Sequence, residues 1–467
     1  MRFAPLLICI LAAAPSVSGW ATETGAKDTT EDTASLCDSY GRNFYALPNT
    51  GICVAGGGQL ELTGQSNRLS SGQQQNQLVF HGALAADIRT QTPLGELRGF
   101  ARASYYSDSH SWVADYLFVS LTGKEAFAQI GYSDSTFNYL GGGPAVGTLR
   151  GANLSAKLIR TTFKITPTLT AKVSLEVDGQ TRPRAVADPL SNIVPAAVPT
   201  TTTTDQSQPD LVAALSFEPR AGSAQLSAAL HRVQSPVGTI ADKTGFAVQF
   251  GMSFPLDVAA SASDNDDDAA DDDGDASDDD GDATDQTDAS ADQNNGQQAA
   301  AQASKTPKAP KTPKAPKPWE ITHSFAWQLA YANGATLYLG YGTGRFSRAA
   351  VDAVVLPNGT LQLVSGVSAL AYYTIGWMPK VSQNIFGSWS QLSPPSAAIG
   401  FNLQGSRDYS ETRIGTNFVY EPWKDFSITL EAMAMRADLS GIKNGTATQL
   451  VNGTTAYQFS LQVSKIF

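Results

Sequence analysis

Residues 455–467 alternate between apolar and polar side chains. This segment reads TAYQFSLQVSKIF, and one parity carries Tyr457, Phe459, Leu461, Val463 and Phe467. A period of two places alternate side chains on opposite faces of a β-strand, so the pattern predicts a strand with one apolar face. A strand of a soluble sandwich can show the same alternation. We favour the closing strand of a membrane β-barrel, because alternating segments of about 10 residues are typical of such barrels.

The same alternation recurs along the chain and predicts an all-β fold, a transmembrane antiparallel β-barrel of about 16 strands. Strands 1–10 are expected within residues 53–255 and strands 11–16 within 320–467. Residues 334–347 and 397–405 also alternate, which leaves a count of eighteen open, although we place both in external loops. The strands are predicted at 53–66, 76–91, 94–107, 111–122, 124–133, 153–166, 168–181, 208–219, 222–234, 242–255, 320–333, 366–378, 383–391, 410–421, 423–437 and 455–467.

The connections between these segments alternate between short and long. With an even strand count and both barrel ends in the periplasm, every second connection is periplasmic and short. Short turns are expected at Thr92-Pro93, Gly123, Thr166-Pro167, Pro219 to Gly222 and Pro422-Trp423, and long external loops at 134–152, 182–207, 334–365, 392–409 and 438–454.

The amino-terminal region carries the marks of an exported protein. Residues 1–21 combine Arg2 with an apolar run and small residues near Ala21, which predicts a cleaved signal peptide. A polar segment follows at 22–52, with a loop that Cys37 and Cys53 delimit. In an oxidising compartment a disulfide between these cysteines is favoured over two free thiols. No later run reaches the roughly 18 apolar residues of a membrane helix, so membrane insertion would require a closed barrel.

Residues 256–319 interrupt the barrel pattern on the predicted periplasmic side. They contain fifteen aspartates between 261 and 295, and then a repeated TPKAP motif with five lysines. Such a composition cannot bury apolar surface, which predicts a disordered insertion with an extended Pro-Lys part. Its aspartate spacing does not fit a helix-loop-helix calcium site; weak calcium attraction, a cell-wall contact and a neutral insertion stay open. Outside these stretches 27 basic and 28 acidic residues nearly cancel, so no basic face for nucleic acid remains.

Several motifs together resemble a known family. A cysteine, Tyr-Gly, an aromatic pair, Pro48, a second cysteine and the glycines at 56–58 are similar to the amino terminus of mature alphaproteobacterial porins. Residues 115–139, 352–364 with 369–389, and 411–438 with the final strand extend the similarity. The chain therefore resembles the alphaproteobacterial outer-membrane porins, the general diffusion porins of the Rhizobiales type.

This resemblance implies a passive channel for small hydrophilic solutes and ions, assembled as a homotrimer in outer-membrane lipid. It also implies that the last strand, with Tyr457 and Phe467, is the signal that the barrel-assembly machinery reads. The third external loop, 133–153, would fold inward as a constriction loop and carry carboxylates. Here that loop offers only Asp134, with Arg150 near its end. This departure predicts weak cation exclusion or an anion preference.

Strand parity predicts which charged residues line the lumen. Because Leu78, Phe80, Leu84 and Ile88 share the lipid-facing parity of the second strand, Asp87 and Arg89 should point inward. The third strand likewise turns Glu96, Arg98 and Arg102 inward. Fixed charges in a pore select ions, so the three arginines are predicted to form a positive wall. Arginine–aspartate pairs with a purely structural role are the alternative.

Catalytic chemistry finds little support in the sequence. The histidines at 81, 110, 231 and 323 lie on separate segments, and neither a Gly-x-Ser-x-Gly elbow nor a His-Glu-x-x-His motif occurs. We therefore expect no enzyme, no metal site and no cofactor. The second hypothesis for the function is a structural barrel that fastens the outer membrane to the cell wall through residues 256–319.

Overall fold

A computed structural model gives the architecture of most of the barrel region. Three sequence-based predictions lie outside the described residues: the signal peptide 1–21, the first part of the polar segment 22–52, and the insertion 256–319 apart from its first residue. The structure describes residues 37–41, 43–70, 72, 74–141, 143–178, 186–187, 208–235, 240–256, 320–341, 351–356, 358–397, 409–439 and 454–467.

Sixteen long antiparallel strands form one closed barrel, as predicted. Each strand pairs with the next in the chain, and the last pairs with the first, with Ile466 opposite Gln59. Closure satisfies the backbone hydrogen bonds of every strand and leaves no open edge, which lipid requires. In chain order the strands are β1 Ile52–Leu69, β2 Gln74–Thr92, β3 Gly95–Tyr106, β4 Ser111–Thr122, β5 Ala126–Asp134, β6 Ser155–Lys164, β7 Leu169–Asp178, β8 Asp210–Phe217, β9 Ser223–Val233, β10 Lys243–Pro255, β11 Thr322–Asn333, β12 Ser365–Met378, β13 Val381–Ser393, β14 Tyr409–Trp423, β15 Phe426–Leu439 and β16 Thr454–Ile466.

Neither extra alternating stretch adds a described barrel strand. Residues Thr336–Leu339, within the first stretch, form a buried 3-10 helix. The second stretch, 397–405, lies outside the described residues apart from Ala397. Short strands at Ala353–Val355, Leu361–Leu363 and Val186–Ala187 form a separate small sheet, and Ala353, Val355 and Leu361 pack against Val233 at the end of β9.

The outer surface of the barrel is an apolar band. Leu78 and Leu84 of β2 are 69% and 59% exposed, and Phe459 of β16 is 58% exposed. The polar residues between them face the interior, as the period of two requires. Large apolar side chains are this exposed only where lipid or another apolar surface covers them. Within the described residues no helix has the length and apolar character to cross a bilayer.

One end of the barrel carries tight turns, and one of them lies two residues from the predicted position. The turn between β14 and β15 lies at Lys424-Asp425, not at Pro422-Trp423, which belong to the end of β14. A register shift between Tyr420 and Trp423 lengthens β14 past the proline, and Asp425 takes the positive φ of 61° that the turn needs. Proline is tolerated in a strand at such an irregularity, because the sheet needs no backbone N–H donor there.

The first residues described pack against the beginning of β1. Cys37 and Cys53 form a disulfide. The short strand Tyr45–Leu47 folds back on β1, with Leu47 opposite Ile52. Just beyond it on the same edge, the amide and carbonyl of Phe467 exchange hydrogen bonds of 3.0 and 2.8 Å with Gly58. The short strand therefore covers the part of the β1 edge that β16 does not reach.

Candidate functional site

The connection between β5 and β6, residues 135–154, folds into the barrel lumen; we call it L3. At its first turn, Glu176 of β7 accepts hydrogen bonds from the Ser135 hydroxyl (2.6 Å) and the Thr136 amide (2.8 Å). Glu176 is only 3% exposed, and Ser174 donates to it as well. A buried carboxylate needs such donors to offset its desolvation, so Glu176 fixes the root of L3 to the wall.

The middle of L3 crosses the inner faces of the strands that follow. Gln225 of β9 and Gln249 of β10 donate to the carbonyls of Asn138 and Phe137, at 2.9 and 3.1 Å. Gln328 of β11 accepts from the Leu140 amide at 3.1 Å. Each glutamine lies on the inward parity of its strand. Together they supply the hydrogen bonds that water would otherwise make to the loop backbone.

The tip of L3 turns where the sequence places its glycines. Gly141 and Gly143 have φ values of 58° and 69°, which L side chains adopt only with strain. Beyond this turn the Val146 and Gly147 amides donate to Glu431 of β15 at 2.6 and 2.7 Å. A Cβ atom on Gly147 would lie 2.5 Å from the Met433 methyl carbon. The tip is therefore held tightly against the wall.

Arg150 locks the returning part of L3 to β14. Its Nε and Nη2 atoms donate to the two carboxylate oxygens of Glu411 at 3.0 and 2.8 Å. Arg413 also contacts Glu411 and reaches the Thr148 carbonyl. Arg150 is fully buried, and burial opposes the charged form while the paired carboxylate stabilises it more strongly, so its pKa lies above the ordinary value. Arg150 thus anchors the loop and contributes little to the field of the open lumen.

A second segment packs inside the barrel beside L3, and the sequence analysis missed it. The rings of Phe137 in L3 and Tyr338 in the 3-10 helix are 4.6 Å apart. The Gly340 carbonyl accepts from Arg150 Nη1 at 3.0 Å. Burial raises the pKa of the Tyr341 phenol, which stays a neutral donor to Ser390 at 2.8 Å. Together, L3 and this helix contact the inner faces of strands between β7 and β15.

The predicted arginine wall lies on the inner faces of β2 and β3. Asp87 lies between Arg89 and Arg98 and receives hydrogen bonds of 2.9 and 2.8 Å from their Nη2 atoms. Glu96 lies 3.5 Å from Arg89. Arg98 also stacks over Phe100, 4.9 Å from the ring centroid. These side chains point inward, as the parity predicts, and they are 14 to 31% exposed.

The carboxylates of this wall balance its arginines. Arg102 Nε lies 3.3 Å from Asp115, and its Nη2 donates to Gln59 at 2.7 Å. A register shift between Arg102 and Ala103 turns Asp115 toward this arginine. Arg89, Arg98 and Arg102 therefore each have a carboxylate partner. The expectation of a wall with excess positive charge omitted Asp115, which the sequence pattern did not reveal.

The disulfide-bonded amino-terminal loop lies over Arg89 at the turn end of the barrel. The Tyr40 and Phe44 rings lie 5.3 and 5.0 Å from the guanidinium carbon of Arg89. The Tyr40 hydroxyl accepts from Gln91 at 2.9 Å. Cation–π contacts of this kind favour a positive charge against an aromatic face. This loop therefore shapes the mouth of the lumen beside the arginine wall.

A cavity of about 330 Å³ lies at the root of L3, and the two cations that line it were not predicted. Arg160 of β6 and Lys172 of β7 face it, together with Asp134, Tyr139 and Asn153. Tyr116 donates to Asp134 at 2.9 Å. Strand parity could have predicted these two residues. The neighbouring Ile159 and Val173 are 57% and 43% exposed and face outward, so Arg160 and Lys172 face inward.

The histidines show no catalytic arrangement within the described ranges. His81 stacks on Tyr106 in the lumen, and His323 hydrogen bonds Tyr373 on the outer face. His231 Nδ1 lies 2.8 Å from Asp210, beneath an external loop. In the part of the chain that the structure describes, no group of three or more His, Cys, Asp or Glu side chains could hold a metal ion.

The family relationship rests on a match over most of the chain. The family description "Porin subfamily" matches residues 31–458. The chain belongs to the porin subfamily. No curated protein sequence matches it significantly.

Solved porin structures share the fold of this porin. The outer membrane channel DcaP of Acinetobacter baumannii is 16% identical, with a TM-score of 0.58; the match covers 90% of this chain and 98% of DcaP. The anion-selective porin from Comamonas acidovorans is 11% identical, with a TM-score of 0.50, over 89% of this chain and 100% of that one. The porin is an outer-membrane β-barrel that forms a channel. The narrower alphaproteobacterial assignment stays a prediction.

Proposed function

We propose that this porin is a passive diffusion channel for small hydrophilic solutes and ions, with L3 as its constriction. One observation carries the proposal: L3 is pinned to the inner faces of β7, β9–β11 and β13–β15. None of the hydrogen bonds given above for the described residues joins L3 to β1–β4. A solute would pass between these strands and L3, beside polar and charged side chains that keep the passage wet.

The charges along this passage would set its ion preference. The wall at Arg89, Arg98 and Arg102 is balanced by Asp87, Glu96 and Asp115. Rings of fixed charge select ions only where one sign is in excess. The arginine wall would therefore orient polar solutes in a strong transverse field, without strong selection by net charge.

Oligomerisation and assembly extend the proposal. A homotrimer would cover part of the apolar outer band, because apolar side chains that face lipid can equally face another barrel. Tyr457 and Phe467 are 46% and 59% exposed on the outer face of β16. Their exposure supports a role as the signal for the barrel-assembly machinery.

The second candidate function is a barrel that tethers the outer membrane to the cell wall. The Leu256 amide donates to the His323 carbonyl at 2.8 Å, so the two ends of the insertion leave the barrel side by side at the turn end. In an outer-membrane barrel this end faces the periplasm. A segment with five lysines would be within reach of anionic wall polymers there.

Single-channel recording separates the two functions. The mature protein, refolded and added to a planar bilayer under a potassium chloride gradient, should give stepwise conductance increments. A reversal potential near zero would fit the balanced arginine wall. If heat-modifiable mobility in gels shows that the barrel is folded and the protein still does not conduct, the diffusion-channel function is excluded. The tether would then be the better account.

A further inference from the structure

Two lumen cations differ from the arginine wall in having no carboxylate partner. Arg160 lies opposite Ser174, and Lys172 lies opposite Thr162, so the two cations are diagonal neighbours on the inner faces of β6 and β7. Diagonal positions on adjacent strands are about 7–8 Å apart, close enough for both side chains to reach one small ligand. Within the described ranges no carboxylate oxygen lies within 4.0 Å of either cation.

The hydrogen bonds of these two side chains leave donors unused. Arg160 Nη2 donates to Gln129, but its Nε is buried and has no hydrogen-bond partner among the described residues. Lys172 Nζ makes one long contact of 3.5 Å with Gln225. A buried hydrogen-bond donor without a partner costs free energy. An acceptor bound beside Arg160 and Lys172 would remove that cost.

The nearby carboxylates do not take these donors. Glu176 is committed to Ser135, Thr136 and Ser174 and lies beneath L3. Asp134 shares the cavity with the two cations, but Tyr116 donates to it. The lining of the cavity therefore holds two cations and one carboxylate, while Glu176 and Glu218 act on Arg160 and Lys172 from farther away.

We propose that Arg160 and Lys172 form a binding subsite for small oxyanions, the carboxylate or phosphate group of a permeating solute, at the root of L3. This inference rests on the proposed channel function and assigns it an anionic class of solute. One oxyanion oxygen would accept from Arg160 and another from Lys172. Charge-assisted hydrogen bonds of this kind are about twice as strong as neutral ones.

Inorganic phosphate and acetate are suitable probes in the same bilayer assay. We expect each probe, titrated into potassium chloride at constant ionic strength, to lower the chloride current through the wild-type channel in a saturable way. Lys172→Gln and, separately, Arg160→Gln should raise the half-inhibiting concentration by roughly tenfold or more, because each removes a charge-assisted contact. Inhibition by one probe alone would assign the subsite to that chemistry.

Two control variants make the outcome specific. Lys157→Gln removes a cation from β6, the strand of Arg160. Lys157 is exposed on the outer face, so inhibition should match the wild type. Arg98→Gln removes a paired lumen arginine and should leave the half-inhibiting concentration within about twofold. Wild-type inhibition in both Lys172→Gln and Arg160→Gln, or a larger loss in Arg98→Gln, would overturn the subsite. Lack of conductance in chloride alone would instead overturn the channel function.

Discussion

At the scale of single residues, three wall glutamates decide where L3 lies. Glu176 binds the root of the loop, Glu431 binds two amides at its tip, and Glu411 binds Arg150 on its return. All three are 3 to 5% exposed. A buried carboxylate that loses its donors keeps its desolvation cost, so each contact resists displacement of the loop. L3 is therefore a fixed part of the barrel wall.

Replacing Arg150 tests this anchoring. Arg150→Ala leaves Glu411 with Arg413 and Tyr409 alone and removes the contact with the Gly340 carbonyl. Loss of one partner of a buried ion pair costs about 3 kcal/mol. We expect a lower urea midpoint in detergent micelles and a larger, noisier single-channel conductance. Arg150→Lys keeps the charge but loses the planar fork, and should lie between. Unchanged conductance and midpoint in Arg150→Ala would show that L3 is held elsewhere.

The sequence predicted the direction of lumen side chains better than their partners. Parity placed Arg98 and Arg102 in the lumen because their neighbours are apolar. It could not place Asp115 beside Arg102, since a local register shift decides that contact. Nor could it bring Arg150 to Glu411, which is 261 residues away in the chain. Local spacing carries no information about such contacts. The sequence analysis counted Arg150 toward an anion preference, but its buried position makes it an anchor of the loop.

At the scale of elements, the seam between β1 and β16 depends on a missing side chain. A Cβ atom on Gly58 would lie 2.7 Å from the ring of Phe467 and 2.8 Å from the Ala83 carbonyl. The glycine thus makes room for the terminal aromatic ring on the outer face of the seam. Gly56, on the same face of β1, has no atom within 4 Å of such a Cβ.

These two glycines provide a matched pair of variants. Gly58→Ala should displace the Phe467 ring and destabilise the barrel by about 1–3 kcal/mol, the usual cost of overpacking. Gly56→Ala should be nearly neutral. Deletion of Phe467 removes both the ring and the two backbone bonds to Gly58, and should impair membrane insertion most. Heat-modifiable mobility and resistance to proteolysis in liposomes measure the folded fraction. Equal folded fractions for all four proteins would exclude a role for this contact in assembly.

The sequence predicted which segments form strands, but it did not predict where each strand begins and ends. All sixteen strands were identified from alternation, which depends only on one face being apolar. The ends differ where the register shifts, as between Tyr420 and Trp423 in β14. The helix Thr336–Leu339 was missed because its residues alternate like a strand, yet packing against Phe137 of L3 decides its conformation.

At the scale of the whole molecule, the barrel closes independently of residues 257–319. Pro255 pairs with Ser324 across the β10–β11 hairpin, so the sheet register is complete where the insertion begins. Loop-closure entropy changes slowly with loop length, and a shorter connection costs no sheet contact.

Deletion of the insertion separates the channel from the tether. Replacement of residues 257–319 by a short glycine-serine turn should leave folding and single-channel conductance unchanged. Co-sedimentation with purified peptidoglycan should be equally unchanged for a pure channel, and should be lost if this segment is a tether. A variant with all five TPKAP-region lysines replaced by glutamine provides the charge control. Loss of conductance on deletion would show that the insertion belongs to the pore.

The path of L3 also depends on strands that come much later in the chain. Its anchors on β13–β15 follow the loop by 238 to 285 residues in the chain. While those strands are outside the sheet, the loop has neither its carboxylate partners nor an inner wall to rest on. L3 can therefore take this path only once β13–β15 have joined the sheet. A barrel without these strands would keep the contacts of L3 with β7 and β9–β11 and lack the rest of its anchors.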